Sequence, residues 1–214
     1  VGENGSGKTT FIKLLCRLYD PTKGEILLNG IDIRKYDYQE YMSVFSVVFQ
    51  DFQLLDAPLG ENIGASLHYD KARGLECLEK AGLEEWFRTK AVKGLETRLY
   101  QHEDANEGIQ ISGGEEQKLA IARSLYRDAP FLVLDEPTAA LDPMSEYEVY
   151  TRLNDIVEDK TAIYISHRLS SCRFCDEIAV FHQGQVIEKG SHDELLARGG
   201  KYSELWNAQA QYYV

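Results

Sequence analysis

The chain has 214 residues, of which 43% are hydrophobic and 27% are charged. This composition is typical of a globular protein and excludes collagen-like and wholly disordered chains. The net charge of −12 argues against a nucleic-acid partner, because an acidic surface repels phosphate backbones.

The sequence has no stretch that approaches the roughly 20 apolar residues of a membrane-spanning helix. Its first residues also lack the basic and apolar regions of a signal peptide. We therefore expect no direct membrane insertion of this chain. Four cysteines in a chain of this length fit a reducing compartment, which makes the cytosol the expected one.

The first 50 residues alternate between helix and strand signals. Apolar residues at helical spacing predict an amphipathic helix over residues 9–19, ended by Pro21 and Gly24. The dipeptide Asn29-Gly30 is a strong hairpin signal between strands at 25–28 and 31–33. A further β-rich run covers residues 44–49.

The rest of the chain divides into a helical region and a second set of strands. Helical patterns dominate residues 51–127, and strands resume at 131–135, 161–166, 177–181 and 185–188 around a helix at 145–157. Final helices begin near Ser191, which forms a capping box with Glu194. This order predicts an α/β fold with a mostly parallel sheet, built from a core of residues 1–50 and 128–214 and an inserted helical subdomain of residues 51–127.

Residues 2–9 match the phosphate-loop pattern of a glycine, four residues, a second glycine, a lysine and a serine or threonine. The residues are Gly2, Glu3, Asn4, Gly5, Ser6, Gly7, Lys8 and Thr9, and Thr10 follows as a further predicted contact. The glycines let backbone N–H groups turn toward a polyphosphate, and the following helix adds its positive end. Lys8 is expected to reach the β- and γ-phosphates and Thr9 to ligate Mg²⁺, so the loop predicts nucleotide binding.

A phosphate loop normally follows the end of a buried strand, yet only Val1 precedes Gly2 here. We therefore expect that strand to lie in the upstream residues of a longer protein. Part of an N-terminal β-subdomain is then missing from the chain as given.

An apolar strand at residues 131–135 ends in the two carboxylates Asp135 and Glu136. The carboxyl edge of a parallel sheet is where a phosphate loop also lies. Asp135 is suited to holding Mg²⁺ through water, and Glu136 to orienting or deprotonating the water that attacks the γ-phosphate. A buried strand followed by acidic residues and Pro137 is common by itself. Its occurrence together with the phosphate loop favours a functional role for the two carboxylates over a purely structural one.

A long helix is predicted to begin after Ser112, which forms a capping box with Glu115. Capping does not explain the paired glycines Gly113 and Gly114, which expose backbone N–H groups beside a helix N-terminus. A second phosphate-directed site is more than one nucleotide needs. We therefore infer that it serves a nucleotide held by another copy.

Taken in order, five motifs resemble those of the ATP-binding cassette (ABC) family. They are the phosphate loop, Ser112-Gly113-Gly114, Asp135-Glu136, Ala140-Leu141-Asp142 and Ser166-His167-Arg168. The ending at residues 190–196 is similar to cassettes of exporters. The resemblance implies a P-loop NTPase (RecA-like) fold and ATP hydrolysis with Mg²⁺ that powers export.

The resemblance also implies two partners. One is a second cassette in a head-to-tail dimer, identical or merely related, and the other is a transmembrane domain upstream in the same polypeptide. These partners place the expected location at the cytoplasmic face of the plasma (inner) membrane. The transported substrate is not readable from this sequence.

Further residue roles follow from the resemblance alone. Gln50 is expected to contact Mg²⁺ and the attacking water, and His167 to hydrogen-bond the γ-phosphate and hold Glu136 in position. The implied catalytic set is Lys8, Gln50, Glu136 and His167, and the metal set is Thr9, Gln50 and Asp135. Ser112, Gly113, Gly114 and Asp142 are expected to act across the dimer interface.

Two departures from the family pattern keep alternatives open. The family usually has Gln where this chain has Glu115, and residues 100–107 differ from the pattern common in exporters. A regulatory cassette without turnover, an importer, and a soluble cassette acting on DNA or ribosomes remain alternatives. The aromatic residue that stacks on adenine in the family lies upstream of the phosphate loop, so none is assigned.

Two other features are interpreted as structural. The Cys172-Arg173-Phe174-Cys175 pattern has no second cysteine pair, which argues against metal or redox use. Aromatic residues near the end, namely Tyr202, Trp206, Tyr212 and Tyr213, are expected to pack on their own domain. Four histidines are likewise expected to be core or surface residues: His68, His102, His182 and His192.

Overall fold

A computed structural model of the chain describes residues 1–100, 108–138, 140–157 and 160–210. The described residues form two compact units. Unit 1 comprises residues 1–45 and 164 onward, and unit 2 comprises residues 46–163. The predicted functional division into residues 1–50 with 128–214 and 51–127 stays a prediction.

The described helices and strands alternate as the sequence predicts. The helices are α1 (Lys8–Leu15), α2 (Tyr38–Ser43), α3 (Leu59–Gly64), α4 (Lys71–Lys80), α5 (Glu84–Lys90), α6 (Gly113–Arg127), α7 (Pro143–Ile156), α8 (His192–Arg198) and α9 (Lys201–Ala210). The strands are β1 (Leu27–Leu28), β2 (Ile31–Asp32), β3 (Phe45–Val48), β4 (Phe131–Asp135), β5 (Thr161–Ile165), β6 (Ile178–His182) and β7 (Gln185–Gly190). Short 3₁₀ turns cover Ile33–Lys35, Gly94–Glu96 and Leu169–Phe174. No described helix has the length and apolar character that crossing a bilayer requires.

The described strands form three sheets. β1 and β2 form an antiparallel hairpin around Asn29-Gly30, and β6 and β7 form a second one. β3, β4 and β5 form a parallel sheet in that order. Because parallel neighbours need long crossovers, the helices between β3 and β4 occupy the first connection. The predicted α/β fold is confirmed, and helices α3 to α6 lie within residues 51–127.

The first helix is shorter than the sequence predicts. α1 ends at Leu15 rather than near residue 19, and Arg17 adopts a left-handed backbone with φ of 53°. The Arg17 guanidinium donates hydrogen bonds to the carbonyl oxygens of Tyr36 and Arg34, at 3.0 and 3.3 Å. The two acceptor residues lie about 20 positions after Arg17 in the sequence. The helical spacing of Leu14 and Leu18 could therefore not predict these contacts. The short helix α2 was not predicted either.

A hydrophobic cluster joins the last strands and helices within unit 1. Its buried members are Leu169, Cys172, Ile178, Val180, Leu195 and Tyr202. Trp206 packs against the cluster, and Tyr202 has no exposed surface. The structural interpretation of Cys172, Tyr202 and Trp206 is therefore supported, while Tyr212 and Tyr213 lie outside the described residues.

The core of unit 2 lies around β4 and α6. Leu132, Val133 and Leu134 of β4 are buried, as are Leu119 and Ile121 of α6. The run of consecutive apolar residues in β4 is what a strand covered on both faces requires. This burial fixes the end of β4, where Asp135 and Glu136 follow.

Candidate functional site

The phosphate loop, residues 2–9, begins where the extended residues Val1 and Gly2 pair with β6. Gly2 forms a parallel bridge with Phe181, whose N–H donates to the carbonyl oxygen of Val1 at 2.8 Å. Gly2 has φ of +146°, and a Cβ there would lie 2.3 Å from the Phe181 carbonyl oxygen. Glycine is therefore required where the loop departs from the strand.

Lys8 holds the phosphate loop from inside. The buried Lys8 ammonium donates to the carbonyl oxygens of Gly2 and Glu3, both at 2.9 Å. The hairpin turn between β6 and β7 braces the loop from outside, because the Gly184 N–H donates to the Ser6 carbonyl oxygen at 2.9 Å. The loop is thus shaped by contacts on both sides.

The loop has the donors and the space that a polyphosphate needs. The helix α1 begins at Lys8, directly after Gly7 in a left-handed conformation with φ of 101°. A helix N-terminus and a lysine both favour an anion. A Cβ at Gly5 would meet no atom within 4 Å, so the loop is open at this position. The predicted nucleotide-binding residues form one continuous segment that covers this loop and the start of α1. They are Gly2, Glu3, Asn4, Gly5, Ser6, Gly7, Lys8, Thr9 and Thr10.

Two predicted residues of unit 2 meet at the end of β4. The Gln50 side-chain amide donates to Oε2 of Glu136 at 3.2 Å, although 86 residues separate them in sequence. Asp135, the last residue of β4, is only 1% exposed. The structure therefore brings Gln50 and Glu136 together, while their predicted contacts with the attacking water stay predictions.

Glu136 sits in a strained turn. Its φ is 53°, in the left-handed region that a non-glycine residue adopts at a cost of about 1–2 kcal/mol. The turn lies between the buried strand β4 and Pro137, and strain of this kind is concentrated at functional sites.

The donors of this region fit a magnesium ion. Mg²⁺ prefers carboxylate, amide-carbonyl, hydroxyl and phosphate oxygens. Asp135 supplies a buried carboxylate and Gln50 a side-chain amide, both in unit 2. Ionised carboxylates are buried when they are paired or ligate a metal, so Asp135 suits the predicted role.

Within unit 2, residues 112–114 pack against the loop at residues 140–142. A Cβ on Gly114 would lie 3.0 Å from Cδ2 of Leu141, so the close approach favours glycine there. Gln117 of α6 accepts a hydrogen bond from the Ala140 N–H at 3.0 Å. Two of the motifs expected to act across a dimer interface are thus adjacent in the same chain.

Asp142 has a local structural role. Its Oδ1 accepts hydrogen bonds from the Met144 and Ser145 N–H groups, at 3.0 and 3.1 Å, and so caps α7. Hydrogen bonds from Ser145 and Met144 lower the pKa of the Asp142 carboxyl. The side chain is therefore ionised and fixed at the start of the helix.

Helix α6 begins with the predicted capping box. Ser112 Oγ accepts from the Glu115 N–H at 3.3 Å, and Oε2 of Glu115 accepts from the Ser112 N–H at 2.8 Å. Glu115 also forms an ion pair with Lys90 of α5 at 2.8 Å. The extra charge at this position is thus used for capping and is balanced by a cation.

The pKa of Glu115 reflects this pairing. Partial burial alone would raise it, but the hydrogen bonds from Lys90 and Ser112 outweigh burial and lower the pKa. Because the folded-state pKa is lowered, the pair stabilises the fold above the ordinary pKa of a glutamate. That contribution is lost as the pH falls through the lowered value.

We predict that Lys90→Ala raises the KM for ATP by about two- to fivefold, because it leaves the Glu115 charge unbalanced beside the helix start that we expect to face a phosphate. Adding Glu115→Gln to Lys90→Ala should restore the KM. Steady-state hydrolysis measures both, with the exposed Arg88→Ala on the same helix as the matched control. An unchanged KM in Lys90→Ala would contradict the prediction.

His167 follows β5 in unit 1, as predicted. The Ser166 hydroxyl accepts from the Arg168 N–H at 3.0 Å, so the chain turns tightly around His167. Of the other histidines, His68 is exposed and His192 hydrogen-bonds the Tyr202 hydroxyl at 2.8 Å. His102 and most of the divergent segment 100–107 lie outside the described residues.

Sequence reasoning missed Asn62 and Arg123, which hold the segment after Gln50. The buried Asn62 side chain accepts from the Leu55 N–H at 2.8 Å and donates to the Leu55 carbonyl oxygen at 2.9 Å. Arg123 of α6 donates to Asn62 and to the Gln53 carbonyl oxygen, at 2.7–3.0 Å. These polar side chains link α6 to the segment that follows Gln50, and no spacing in the sequence indicated them.

Comparison with known proteins decides the family. The model of the family described as "ABC transporter" matches residues 1–139. The chain belongs to the ABC transporter family. The predicted ABC nucleotide-binding domain and P-loop NTPase fold are therefore confirmed, and ATP is the nucleotide that such domains bind.

Relatives of this ABC domain include a flippase and a plant ABC transporter. The chain is 41% identical over 210 residues to an ATP-dependent lipid A-core flippase of Burkholderia orbicola, covering 98% of this chain and 34% of the flippase. It is 39% identical over 212 residues to ABC transporter B family member 28 of Arabidopsis thaliana, covering 98% and 29% of the two chains.

A solved structure shares the fold. The structure of a bacterial Atm1-family ABC exporter with ATP bound matches with a TM-score of 0.89 and 34% identity, covering 98% of this chain and 36% of that one. The chain thus spans about a third of the length of the proteins it matches. These matches support an ABC nucleotide-binding domain of the exporter type.

Proposed function

We propose that this chain is the ATP-binding and ATP-hydrolysing domain of an exporter. Its most direct support is the Gln50–Glu136 hydrogen bond at the strained end of β4, next to the buried Asp135. A phosphate loop alone would explain nucleotide binding. A carboxylate positioned by strain and by a neighbouring amide supports turnover as well.

In the proposed reaction, the phosphate loop binds ATP through its backbone N–H groups and Lys8. Glu136 accepts a proton from the attacking water, whose oxygen bonds to the γ-phosphorus while the bond to the ADP oxygen breaks. The products are ADP and inorganic phosphate. His167 donates a hydrogen bond to the γ-phosphate, which fixes the group under attack.

Thr9, Gln50 and Asp135 are the proposed holders of Mg²⁺. The ion supplies charge neutralisation on the phosphate oxygens. The described chain offers a hydroxyl, an amide and a buried carboxylate for it, which is the oxygen donor set that Mg²⁺ prefers.

The second cassette of the proposed head-to-tail pair is another copy or a related domain. Ser112, Gly113 and Gly114 would contact the γ-phosphate of a nucleotide held by that partner, and Asp142 would lie beside it. The packing of residues 112–114 on residues 140–142 supports a shared role for the two motifs. Through a transmembrane domain, we place the assembly at the cytoplasmic face of the plasma (inner) membrane.

Magnesium-dependent formation of ADP by the intact protein tests the proposal. We expect hydrolysis that saturates with ATP and is abolished when EDTA removes Mg²⁺. Fluorescent ATP binding, measured in parallel, provides the control for a functional phosphate loop. Binding of ATP without formation of ADP would overturn the proposal in favour of a regulatory cassette.

A further inference from the structure

The helix α9 borders a cavity next to the phosphate loop in unit 1. The cavity has a volume of about 340 Å³ and lies among the phosphate loop, the segment around His167 and α9. Its lining residues are Gly2, Glu3, Asn4, Ser166, His167, Leu169, Leu205 and Gln209. α9 is therefore placed to influence how the His167 segment faces the loop.

The Gln209 side chain binds the backbone on both sides of Arg168. Its Oε1 accepts a hydrogen bond from the Leu169 N–H at 2.8 Å, and its Nε2 donates to the carbonyl oxygen of His167. One amide thus fills a donor and an acceptor of the same turn. Both partners of Gln209 are backbone atoms. Gln209 therefore fixes the backbone at His167 and does not contact the His167 imidazole through these two hydrogen bonds.

The other end of α9 is held in place by packing and by an ion pair. Lys201 pairs with Glu3 of the phosphate loop at 2.8 Å. Tyr202 is fully buried, and Leu205 and Trp206 pack against the same hydrophobic cluster. An exposed ion pair stabilises little, so the buried aromatic and aliphatic contacts fix the helix. Gln209 lies eight residues after Lys201, which is about two turns or 12 Å along the helix axis.

We propose that Gln209 is a positioning residue for His167. It holds the His167 backbone so that the imidazole meets the γ-phosphate of a nucleotide bound on the phosphate loop. This inference rests on the proposed function of His167. Loss of the two hydrogen bonds loosens the turn and slows hydrolysis, while binding of ATP through the phosphate loop is retained.

The test compares Gln209→Leu with a matched variant in the intact protein. Gln209→Leu keeps the approximate size of the side chain and removes both hydrogen bonds. We expect kcat to fall by about 5- to 30-fold, with ATP affinity close to that of the control. The urea unfolding midpoint should fall modestly, because the Leu169 N–H loses its acceptor. Asn207→Leu is that control, because it removes an exposed amide from the same helix. The only described hydrogen bond of the Asn207 amide is to Ser203.

A second variant has a pH signature. Gln209→Glu keeps an acceptor for the Leu169 N–H but, when ionised, places a negative charge at the His167 carbonyl oxygen. Protonation restores a donor to that oxygen. The kcat of Gln209→Glu relative to the unmodified protein is therefore expected to rise as the pH falls toward the pKa of the new carboxyl.

His167→Ala separates the inference from the function on which it rests. We expect His167→Ala to be strongly impaired and the addition of Gln209→Leu to slow it no further, since both act through one group. If His167→Ala is impaired but Gln209→Leu behaves like Asn207→Leu, the role of Gln209 is wrong and the proposed function stands. If His167→Ala hydrolyses ATP normally, the proposed role of His167 is itself wrong. If Gln209→Leu loses ATP binding to the same extent as kcat, the positioning role of Gln209 is wrong.

Discussion

Glu136→Gln is expected to lower the kcat of ATP hydrolysis by about 10²–10³-fold and to leave ATP affinity within about twofold. Glutamine has the size of glutamate, and its amide oxygen can still accept the hydrogen bond from Gln50 that the structure shows at 3.2 Å. Only the ability to take a proton from water is removed. Single-turnover hydrolysis and equilibrium binding of a fluorescent ATP analogue measure the two quantities separately.

Glu148→Gln provides the matched control, because Glu148 is an exposed carboxylate on α7 of the same unit. It should hydrolyse ATP at the normal rate. A Glu136→Gln variant that retains a third or more of the normal kcat would show that another group activates the water. A variant that loses ATP binding as well would show that Glu136 acts mainly on the ground state.

Lys8→Ala is expected to weaken ATP binding by about 10- to 100-fold, which corresponds to the loss of a charge-assisted hydrogen bond to phosphate. The substitution also removes the donor to the carbonyl oxygens of Gly2 and Glu3. Those carbonyls would then rely on water, and the loop would lose part of its fixed shape. Isothermal titration with ATP measures the affinity directly.

Lys13→Ala is the matched control for Lys8→Ala, since it removes a lysine from the opposite end of the same helix α1. We expect normal ATP affinity for it. Thermal unfolding of both variants identifies any general loss of structure. ATP affinity within twofold of normal in Lys8→Ala would contradict the assignment of residues 2–9 as the phosphate site.

The sequence is most informative where function depends on contiguous residues. The phosphate loop, the carboxylates after β4 and the capping box at Ser112 each lie within eight residues, and each has a fixed spacing set by its chemistry. The structure places each of them at the end or the start of the expected element. The order of the elements was therefore enough to predict the α/β fold.

Contacts between distant segments were not predictable in this way. Gln209 and His167 are 42 residues apart, and Lys90 and Glu115 are 25 apart, on elements whose packing the sequence does not specify. The left-handed backbone of Glu136 was also not predictable from the sequence. A glycine predicts that conformation, and a glutamate does not. Periodicity and spacing report on local structure, whereas these features depend on tertiary packing.

A mixed dimer tests most directly the proposal that each nucleotide site is completed by the partner's residues 112–114. One copy has Lys8→Ala, and the other has Ser112→Asp, which retains a helix cap but adds a negative charge at the phosphate-directed turn. Copies with two different tags are co-expressed and purified on both tags in sequence. In each mixed dimer, one site then has an intact Lys8 from one copy and an intact Ser112 from the other.

At an ATP concentration near the normal KM, we expect each variant alone to have little activity. The mixed dimer should recover on the order of half of the normal ATPase rate, since one site of two is intact. A mixed dimer of unmodified copies with the same two tags gives the reference rate. Activity of the mixed dimer no higher than that of the separate variants would contradict a site shared between two copies of this chain.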